Sequence, residues 1–259
     1  RGRKAYPNAE FMTSTDERFR PVYLSSAPDG TIYLVDIYHG IIQQKSFITE
    51  YLRDHIVEHA LERPIHMGRI YRIVHDTTRR GDAPAMSSET PAQLVAHLSH
   101  PNGWWRDTAQ RLLVERGDTS VRPALEALAA SAAEPRTRVH ALWTLQGLDA
   151  LDAALVVRAL ADPSRDVRAN AVRLAEPFLS VPDASVQAAV MARLDDPDWS
   201  VRQQLAASLG ALPPGPRETA LTSLLARHAA DPVVVDAALS GLRGGEAAVL
   251  RNLLQNTAA

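Results

Sequence analysis

The chain has 259 residues, of which 46% are hydrophobic, and its formal net charge at pH 7 is −2. That charge provides no basic field for a phosphate backbone, which argues against nucleic-acid binding. The absence of cysteine excludes disulfides, thiolate catalysis, Cys-type zinc sites and haem attachment within these residues. No apolar run approaches the roughly 20 residues of a membrane span. The sequence opens on Arg-Gly-Arg-Lys without Met or an apolar leader, so we expect a fragment or a processed piece.

Three strands are predicted in the first part of the chain. Val22–Leu24 and Thr31–Val35 are rich in strand-forming residues and flank the turn signal Pro28-Asp29-Gly30. Because Gly30 can adopt a positive φ, we predict a β-hairpin here. Gly68–Val74 alternates apolar residues with arginine and predicts a third strand. Three strands alone do not bury both faces of a sheet. We therefore expect either that they pack on the helices that follow or that they are the last strands of a larger β domain.

A helix is predicted from Phe47 to Leu61, and Pro64 ends it. Its expected apolar stripe consists of Ile48, Leu52, Ile56, Val57 and Leu61.

His55 and His59 have the i, i+4 spacing that can hold a metal ion on one helix face. Apart from Glu58 and Glu62, no third ligand is evident nearby in the sequence. We therefore interpret the pair as a solvated helix face and predict no metal site.

Residues 77–88 are polar and aperiodic, which is typical of a linker. A new pattern starts at Thr90-Pro91, a cap followed by proline, which predicts a helix start. After it, a phrase that begins near a proline recurs with steps of 34, 28, 34 and 35 residues, at Pro101, Pro135, Pro163, Pro197 and Pro232. A unit of this length with helical apolar spacing predicts an α-solenoid of about five helix pairs.

Each unit is expected to contain a first helix, a turn bearing Asp-Pro or its equivalent, and a second helix. The apolar residues of the second helices recur three or four apart: Trp105, Ala109, Leu112 and Leu113; Val139, Leu142 and Leu145; Val167, Ala171, Val172 and Leu174; Val201, Leu205, Ala206 and Leu209. We predict that Trp104 and Trp199 pack or lie at repeat junctions, and that Glu246–Asn256 forms a final amphipathic helix.

The residue that follows the recurring Val position of each repeat is basic in four of the five units. It is Arg106, His140, Arg168 and Arg202 in these units, and Asp236 in the fifth. We favour a ladder in which these residues bond carboxylates such as Asp107, Asp162 or Asp196. The alternative is a binding stripe for an acidic partner.

Several phrases resemble known families. Ala-Pro-Asp-Gly-Thr-Ile-Tyr-Leu-Val-Asp at 27–36, with Gly-Arg-Ile-Tyr-Arg-Ile at 68–73, resembles the final blade of a quinoprotein sugar-dehydrogenase-type β-propeller. A family of bacterial membrane-bound dehydrogenases, abundant in planctomycetes, has similar phrases, which here are Phe-Arg-Pro-Val at 19–22, Val-Asp-Ile-Tyr-His-Gly-Ile-Ile-Gln at 35–43, Pro-Ile-His-Met-Gly-Arg-Ile-Tyr-Arg at 64–72, and Pro-Asn-Gly-Trp-Trp-Arg-Asp at 101–107. Members of that family join such a propeller to HEAT-like repeats and often to a c-type cytochrome.

The resulting fold class is α+β and mostly α, a HEAT-like α-solenoid preceded by a partial β-propeller blade with an inserted helix. The expected domains are the end of a propeller at 1–76, a linker at 77–88 and HEAT-like repeats at 89–259. The resemblance implies a periplasmic or cell-envelope parent. Pyrroloquinoline quinone (PQQ) would bind that parent and haem c a further domain, whereas no cofactor is expected within these residues. The expected partner is a protein, either a redox partner or further domains of the same chain.

The resemblance also suggests cofactor-binding residues. In sugar-dehydrogenase propellers an Arg-x-Arg before the last hairpin reaches the cofactor carboxylates, and Arg18-Phe19-Arg20 occupies that place. Two arginines on one strand, two residues apart, point to the same face and can grip a polyanion. The alternative is that they pair with nearby carboxylates, namely Asp16, Glu17 or Asp29.

His39, which follows the second strand, is the other candidate, for a ligand or proton-transfer role; a structural hydrogen bond is the alternative. Asp36 could orient a base, bind a cation or cap the turn that follows it, and we favour the cap. No catalytic residue is predicted. Two functions therefore stand side by side: part of a sugar or alcohol dehydrogenase, or a non-enzymatic scaffold that recruits another protein.

Overall fold

The computed structural model describes residues 3–180 and 184–256. The chain divides into two compact units, Arg1–Pro84 and Ala85–Ala259. The first unit contains strands β1 (Pro21–Ser26), β2 (Ile32–Asp36) and β3 (Arg69–Ile73) and helix α1 (Glu50–Glu58). The strands form an antiparallel sheet in the order β1-β2-β3. All three predicted strands are confirmed.

The hairpin between β1 and β2 is confirmed at the predicted Asp-Gly turn. Gly30 has φ +84°, a conformation that an L side chain rarely adopts. The Asp29 carboxylate accepts hydrogen bonds from the Thr31 amide at 3.2 Å and the Thr31 hydroxyl at 2.6 Å. Arg72 and Arg80 bind its other oxygen at 2.6 and 2.7 Å. The pKa of Asp29 is lowered, chiefly by the Thr31 hydroxyl and then by Arg80.

Helix α1 is shorter than predicted, and one residue of its predicted apolar stripe is misplaced. The Thr49 hydroxyl accepts a hydrogen bond from the Leu52 amide at 3.3 Å and caps the helix start. Ile56 and Leu61 are buried as expected, but Val57 is 69% exposed. Successive residues of a helix point about 100° apart, so Val57 cannot share the buried side of Ile56.

The sheet leaves apolar side chains exposed on both faces. Leu24, Leu34 and Tyr71 occupy one row of partners across the strands, and Val35 and Ile70 belong to the next row. Leu34 is buried, whereas Leu24, Tyr71 and Ile70 are exposed. Successive residues of a strand face opposite sides, so neither face of the sheet is fully covered.

The second unit is helical. Within the described residues, its α-helices are α2 (Pro91–His97), α3 (Gly103–Arg116), α4 (Arg122–Ser131), α5 (Pro135–Gly147), α6 (Ala153–Leu160), α7 (Arg165–Leu174), α8 (Glu176–Leu179), α9 (Ala184–Met191), α10 (Trp199–Ser208), α11 (Pro216–His228), α12 (Pro232–Ser240) and α13 (Glu246–Asn256). Thr90 caps α2 and Pro91 is its first residue, as predicted. Thr90 also forms a capping box with Gln93. The predicted final helix is confirmed as α13.

The helices stack as the solenoid prediction requires. Within the described residues, five second helices follow the first helices of their repeats: α3, α5, α7, α10 and α12. Each of these second helices packs against the next one in that order. Most of the predicted apolar positions of the second helices are buried in one continuous core, and Trp105, Leu112 and Val139 are partly buried against it. The solenoid interpretation is therefore confirmed for the described part of the unit.

A single arginine position organises the turns between paired helices. The side chains at this position are Arg106, Arg138, Arg168 and Arg202, each four residues after the N-cap of its second helix. In each case the Nη1 group donates to the carbonyl six residues earlier, at 2.5 to 2.9 Å. A guanidinium that binds the turn carbonyls holds the chain where the helix starts, because it satisfies acceptors that the turn leaves open.

The predicted membership of this position is wrong at two places. Arg138 holds it in the second repeat rather than His140, because α5 begins at Pro135 itself, whereas the N-caps of α3, α7 and α10 follow their prolines. When the repeats are aligned by their prolines, the arginine position of the second repeat is therefore misplaced by two residues. In the fifth repeat the N-cap is Asp231, so Val235 rather than Asp236 lies four residues after it.

The arginines also join neighbouring repeats, which confirms the predicted ladder at Arg168 and Asp196. The Asp162 carboxylate is instead bound by Arg138, which is not one of the predicted basic residues. Arg138 makes two 2.8 Å hydrogen bonds to Asp162, and Arg168 makes two 2.8 Å hydrogen bonds to Asp196. Asp162 and Asp196 also accept the N–H two residues later in their own turns. The third predicted acid, Asp107, lies 3.8 Å from His140, which is one of the predicted basic residues.

The buried Arg168–Asp196 pair generates a stability prediction. Asp196 is 3% exposed, and Asp196→Ala leaves the Arg168 guanidinium without its carboxylate. Removal of one partner of a buried pair is expected to cost about 3–5 kcal/mol. The control Glu126→Gln removes the exposed pair with Arg122 and is expected to cost far less, because solvent screens an exposed ion pair. Urea unfolding followed by helical circular dichroism measures both; equal losses would contradict the prediction.

A second prediction concerns the acid stability of the same turn. The Ser200 hydroxyl and amide and the Arg165 guanidinium together lower the pKa of Asp198, the N-cap of α10, from 3.8 to about 2, against the opposing effect of burial. Because the folded pKa lies below the unfolded one, this stabilisation is present above pH 3.8 and is lost as the pH falls towards 2. Asp198→Asn should therefore flatten the decline of the unfolding free energy between pH 4 and pH 2. Urea titrations at pH 4, 3 and 2 measure it, and an unchanged slope would contradict the assignment.

Candidate functional sites

Asp36 organises the turn after β2. It is fully buried, and its Oδ1 atom accepts hydrogen bonds from the backbone N–H groups of Arg20 and Tyr38, both at 2.8 Å. The predicted capping role is therefore confirmed. Tyr38 has φ +45°, so this capping bond holds a non-glycine residue in the left-handed region.

Arg20 and His39 both hold the backbone of this turn. The Arg20 guanidinium donates to the Phe19 carbonyl at 3.1 Å and the Gly40 carbonyl at 3.3 Å. The His39 Nδ1 atom contacts the Ile41 carbonyl oxygen. For both side chains the structure therefore provides a structural role. Their predicted role in cofactor binding stays a prediction.

Arg18 binds a different segment, the chain that leaves α1. Its Nε group donates to the Arg63 carbonyl at 3.1 Å, and its Nη2 group to the carbonyls of His59 at 3.3 Å and Ala60 at 2.9 Å. The expectation that Arg18 and Arg20 lie on one strand is wrong, because β1 begins only at Pro21. The face alternation of a strand does not apply to them, and their guanidiniums bind separate segments.

The alternative pairing of these arginines with nearby acids is only partly seen. Arg18 lies 4.0 Å from Asp16, while Asp29 is bound by Arg72 and Arg80. Glu17 pairs with two histidines instead.

Those two histidines are His55 and His59, and with Glu17 they form what we call the Glu17 cluster. The His59 Nδ1 atom lies 2.8 Å from Glu17 Oε2, and the His55 Nε2 atom lies 3.6 Å from Glu17 Oε1. The imidazole rings have centroids 4.1 Å apart and are tilted by 32°. One ligand atom from each residue lies within 4.8 Å of the other two.

Sequence reasoning found the histidine pair but missed Glu17. The i, i+4 spacing is visible within a single helix, whereas Glu17 reaches that helix from a segment about forty residues away. No local signal marks this contact. The neighbouring residue Arg18 attaches this segment to the end of α1 by binding backbone carbonyls. The sequence alone does not show which carbonyls an arginine binds, so Arg18 gives no sequence signal for the contact either.

The turn that carries Glu17 is held on both sides. Arg18 fixes it to the end of α1. On the other side, Asp16 accepts hydrogen bonds from the Arg18 amide at 3.0 Å and the Tyr38 hydroxyl at 2.8 Å. These bonds lower the pKa of Asp16, the Arg18 amide having the largest effect. The hydrogen bond to Asp16 raises the pKa of Tyr38. The Glu17 carboxylate therefore lies beside the histidines as a consequence of the local fold.

In the second unit, the second helices present a polar row that we call the Trp143 face. It consists of Gln110, His140, Trp143, Asn170, Arg173 and Gln204. Trp143 is partly buried and donates through Nε1 to Asn170 at 2.8 Å, and His140 Nδ1 lies 2.7 Å from Gln110 Oε1. Burial lowers the pKa of His140, although nearby Asp107 acts in the opposite direction.

Shallow grooves lie on both sides of Trp143. One is lined by Asp107, Arg111 and Gln146, and another by Asn170, Arg173 and Gln204. Trp199, by contrast, donates through its indole nitrogen to Asp231 at 2.5 Å. Asp231 is the N-cap of α12, so the predicted place of Trp199 at a repeat junction is confirmed. Trp104 packs against the core.

Two family models match parts of the chain. Residues 1–77 match a domain of unknown function (DUF7133). Residues 153–243, which include α6 to α12, match HEAT repeats. No curated protein matches the chain. Neither family description names a dehydrogenase. Among the described residues of the first unit there is one sheet of three strands, and no propeller is seen. No helix in the described ranges is both long and apolar enough to cross a membrane. Residues 153–243 of the second unit are thus similar to HEAT repeats, a class typical of protein-interaction scaffolds.

Proposed function

We propose that the second unit is a protein-docking scaffold and that the Trp143 face binds the partner. The observation that carries the proposal is the position of Trp143 between two grooves on the stacked second helices. Tryptophan and arginine are enriched among the residues that dominate binding energies at protein interfaces. Successive repeats build a long continuous surface of the kind that solenoids use for binding.

The chemistry of the face favours a polar protein segment. Its grooves contain both signs of charge, with Asp107 and Glu115 near Arg111, and Glu176 near Arg173. The amides of Gln146 and Gln204 add hydrogen-bond donors and acceptors. A surface with mixed charge does not match a phosphate backbone, which selects continuous positive potential.

Site-specific crosslinking tests this proposal. The photoreactive residue benzoylphenylalanine at Gln146, on the Trp143 face, should capture a discrete protein from native extract. The matched control position is the exposed Arg158 on the first helix α6, where no such product is expected. Trp143→Ala should reduce the Gln146 product at least tenfold, because it removes the aromatic centre of the face. Trp199→Ala should leave the yield unchanged.

Identical products from positions 146 and 158 would contradict the assignment of the face. So would a yield that Trp143→Ala does not alter.

We propose as a second candidate that residues 1–76 form the closing blade portion of a quinoprotein-type propeller in a parent dehydrogenase. The parent would oxidise sugars or other alcohols in the periplasm or cell envelope. The resemblance of residues 27–36 and 68–73 supports this idea. A structural observation agrees with it: Leu24 and Ile70 are exposed on opposite faces of the sheet, and a blade of a propeller covers such residues with neighbouring sheets.

The candidate cofactor residues fit PQQ poorly as they lie. A polyanion needs guanidinium groups with unused donors, and Arg18 is engaged on three carbonyls. Arg20 and His39 are also engaged with the backbone. Haem c has no cysteine to attach to in this chain. No catalytic step is therefore assigned to these residues.

Isothermal titration calorimetry of the full chain with PQQ tests the cofactor role. The dehydrogenase proposal expects saturable binding that Arg18→Ala and Arg20→Ala each weaken at least tenfold. Arg53→Ala, on the exposed side of α1, is the control and should bind as the unaltered chain does. Absence of binding, or binding that all three variants retain, would remove the cofactor role of Arg18 and Arg20.

A further inference from the structure

We propose that the Glu17 cluster is a binding site for one divalent transition-metal ion, with zinc as the ion that matches it best. The site combines His55 and His59 of α1 with the Glu17 carboxylate from the segment before β1. It lies outside the Trp143 face and does not depend on either proposed function.

The distances within the cluster suit a metal centre. Zinc bonds of about 2.0–2.1 Å at tetrahedral angles place neighbouring ligand atoms about 3.3 Å apart. The two nitrogen-to-oxygen distances, 2.8 and 3.6 Å, lie on either side of this value. Small rotations of the side chains would therefore bring both imidazoles and the carboxylate to one ion.

A pairwise hydrogen bond does not account for all three residues. It explains the 2.8 Å contact between His59 and Glu17. It does not explain His55, whose Nε2 atom lies 3.6 Å from the carboxylate, too far for a hydrogen bond. A shared metal ion would engage all three side chains, because each imidazole nitrogen faces one oxygen of the Glu17 carboxylate.

The donor set selects the class of ion. Two imidazole nitrogens and one carboxylate oxygen suit zinc and other late first-row divalent ions, whereas calcium and magnesium require oxygen ligands. The side chains of His55, His59 and Glu17 are 37%, 39% and 41% exposed, so an ion can enter from solvent. Three protein ligands leave a fourth tetrahedral position for water or another ligand.

The fold positions the ligands before an ion arrives. The i, i+4 spacing places both histidines on one face of α1. Arg18, the residue after Glu17, binds the carbonyls of His59 and Ala60. An ion at the cluster would add a link between the same two segments. It would also stabilise the first unit through preferential binding to the folded state.

Metal titration of the chelator-treated full chain tests the site. Cobalt(II) serves as a spectroscopic probe, because its visible absorption reports nitrogen and oxygen ligands in a low-coordinate geometry. We expect one cobalt ion per chain, displaced by an equal amount of zinc and not by magnesium or calcium. Glu17→Gln, His55→Gln and His59→Gln should each weaken cobalt binding at least tenfold.

Two control variants change the same residue types nearby. Glu58→Gln alters an exposed carboxylate of α1, and His75→Ala removes an exposed imidazole of the first unit. Both should bind cobalt as the unaltered chain does. The cluster residues are partly exposed, and unchanged far-ultraviolet circular dichroism will verify that each glutamine variant is folded. Absence of stoichiometric binding, or binding that persists in Glu17→Gln and in the double variant His55→Gln/His59→Gln, would overturn the proposal.

Discussion

The helical unit depends on an arginine that bonds the backbone of its own turn and, in the middle repeats, the aspartate of the next turn. Arg138 and Arg168 each combine both contacts. A guanidinium has five donors in a fixed plane, so one side chain can satisfy carbonyls and a carboxylate together. These bonds fix where each second helix starts relative to the second helix of the next repeat. The Trp143 face exists because successive helices keep that alignment.

The first unit uses the same chemistry for a different purpose. Arg18 satisfies the carbonyls at the end of α1 and thereby attaches the segment before β1 to this helix. Its neighbour Glu17 is carried to His55 and His59 as a consequence. In both units an arginine thus joins segments that the chain does not connect locally, and the side chains that could contact partners or ions are placed by that bond.

Local features of the fold could be predicted from the sequence, whereas its long-range contacts could not. The Asp-Gly hairpin, the helix start at Thr90-Pro91 and the final helix depend on residues a few positions apart, and the sequence predicts all three. His140 was misassigned because the proline marks the turn and not the helix start, which differs by two residues in the second repeat. Glu17 was missed, and Arg18 was placed on a strand, because their contacts cross from one segment to another. Such contacts depend on the exact residues at which each helix and strand begins and ends.

The most direct test of this account is a double-mutant cycle on Arg138 and Asp162, which make two 2.8 Å hydrogen bonds between neighbouring repeats. The free energies of unfolding of Arg138→Met, Asp162→Ala and the double variant give the coupling between the two side chains. The account predicts a coupling of about 2–3 kcal/mol, near the upper end of values measured for residues in contact. Additivity of the single variants within about 0.5 kcal/mol would contradict it.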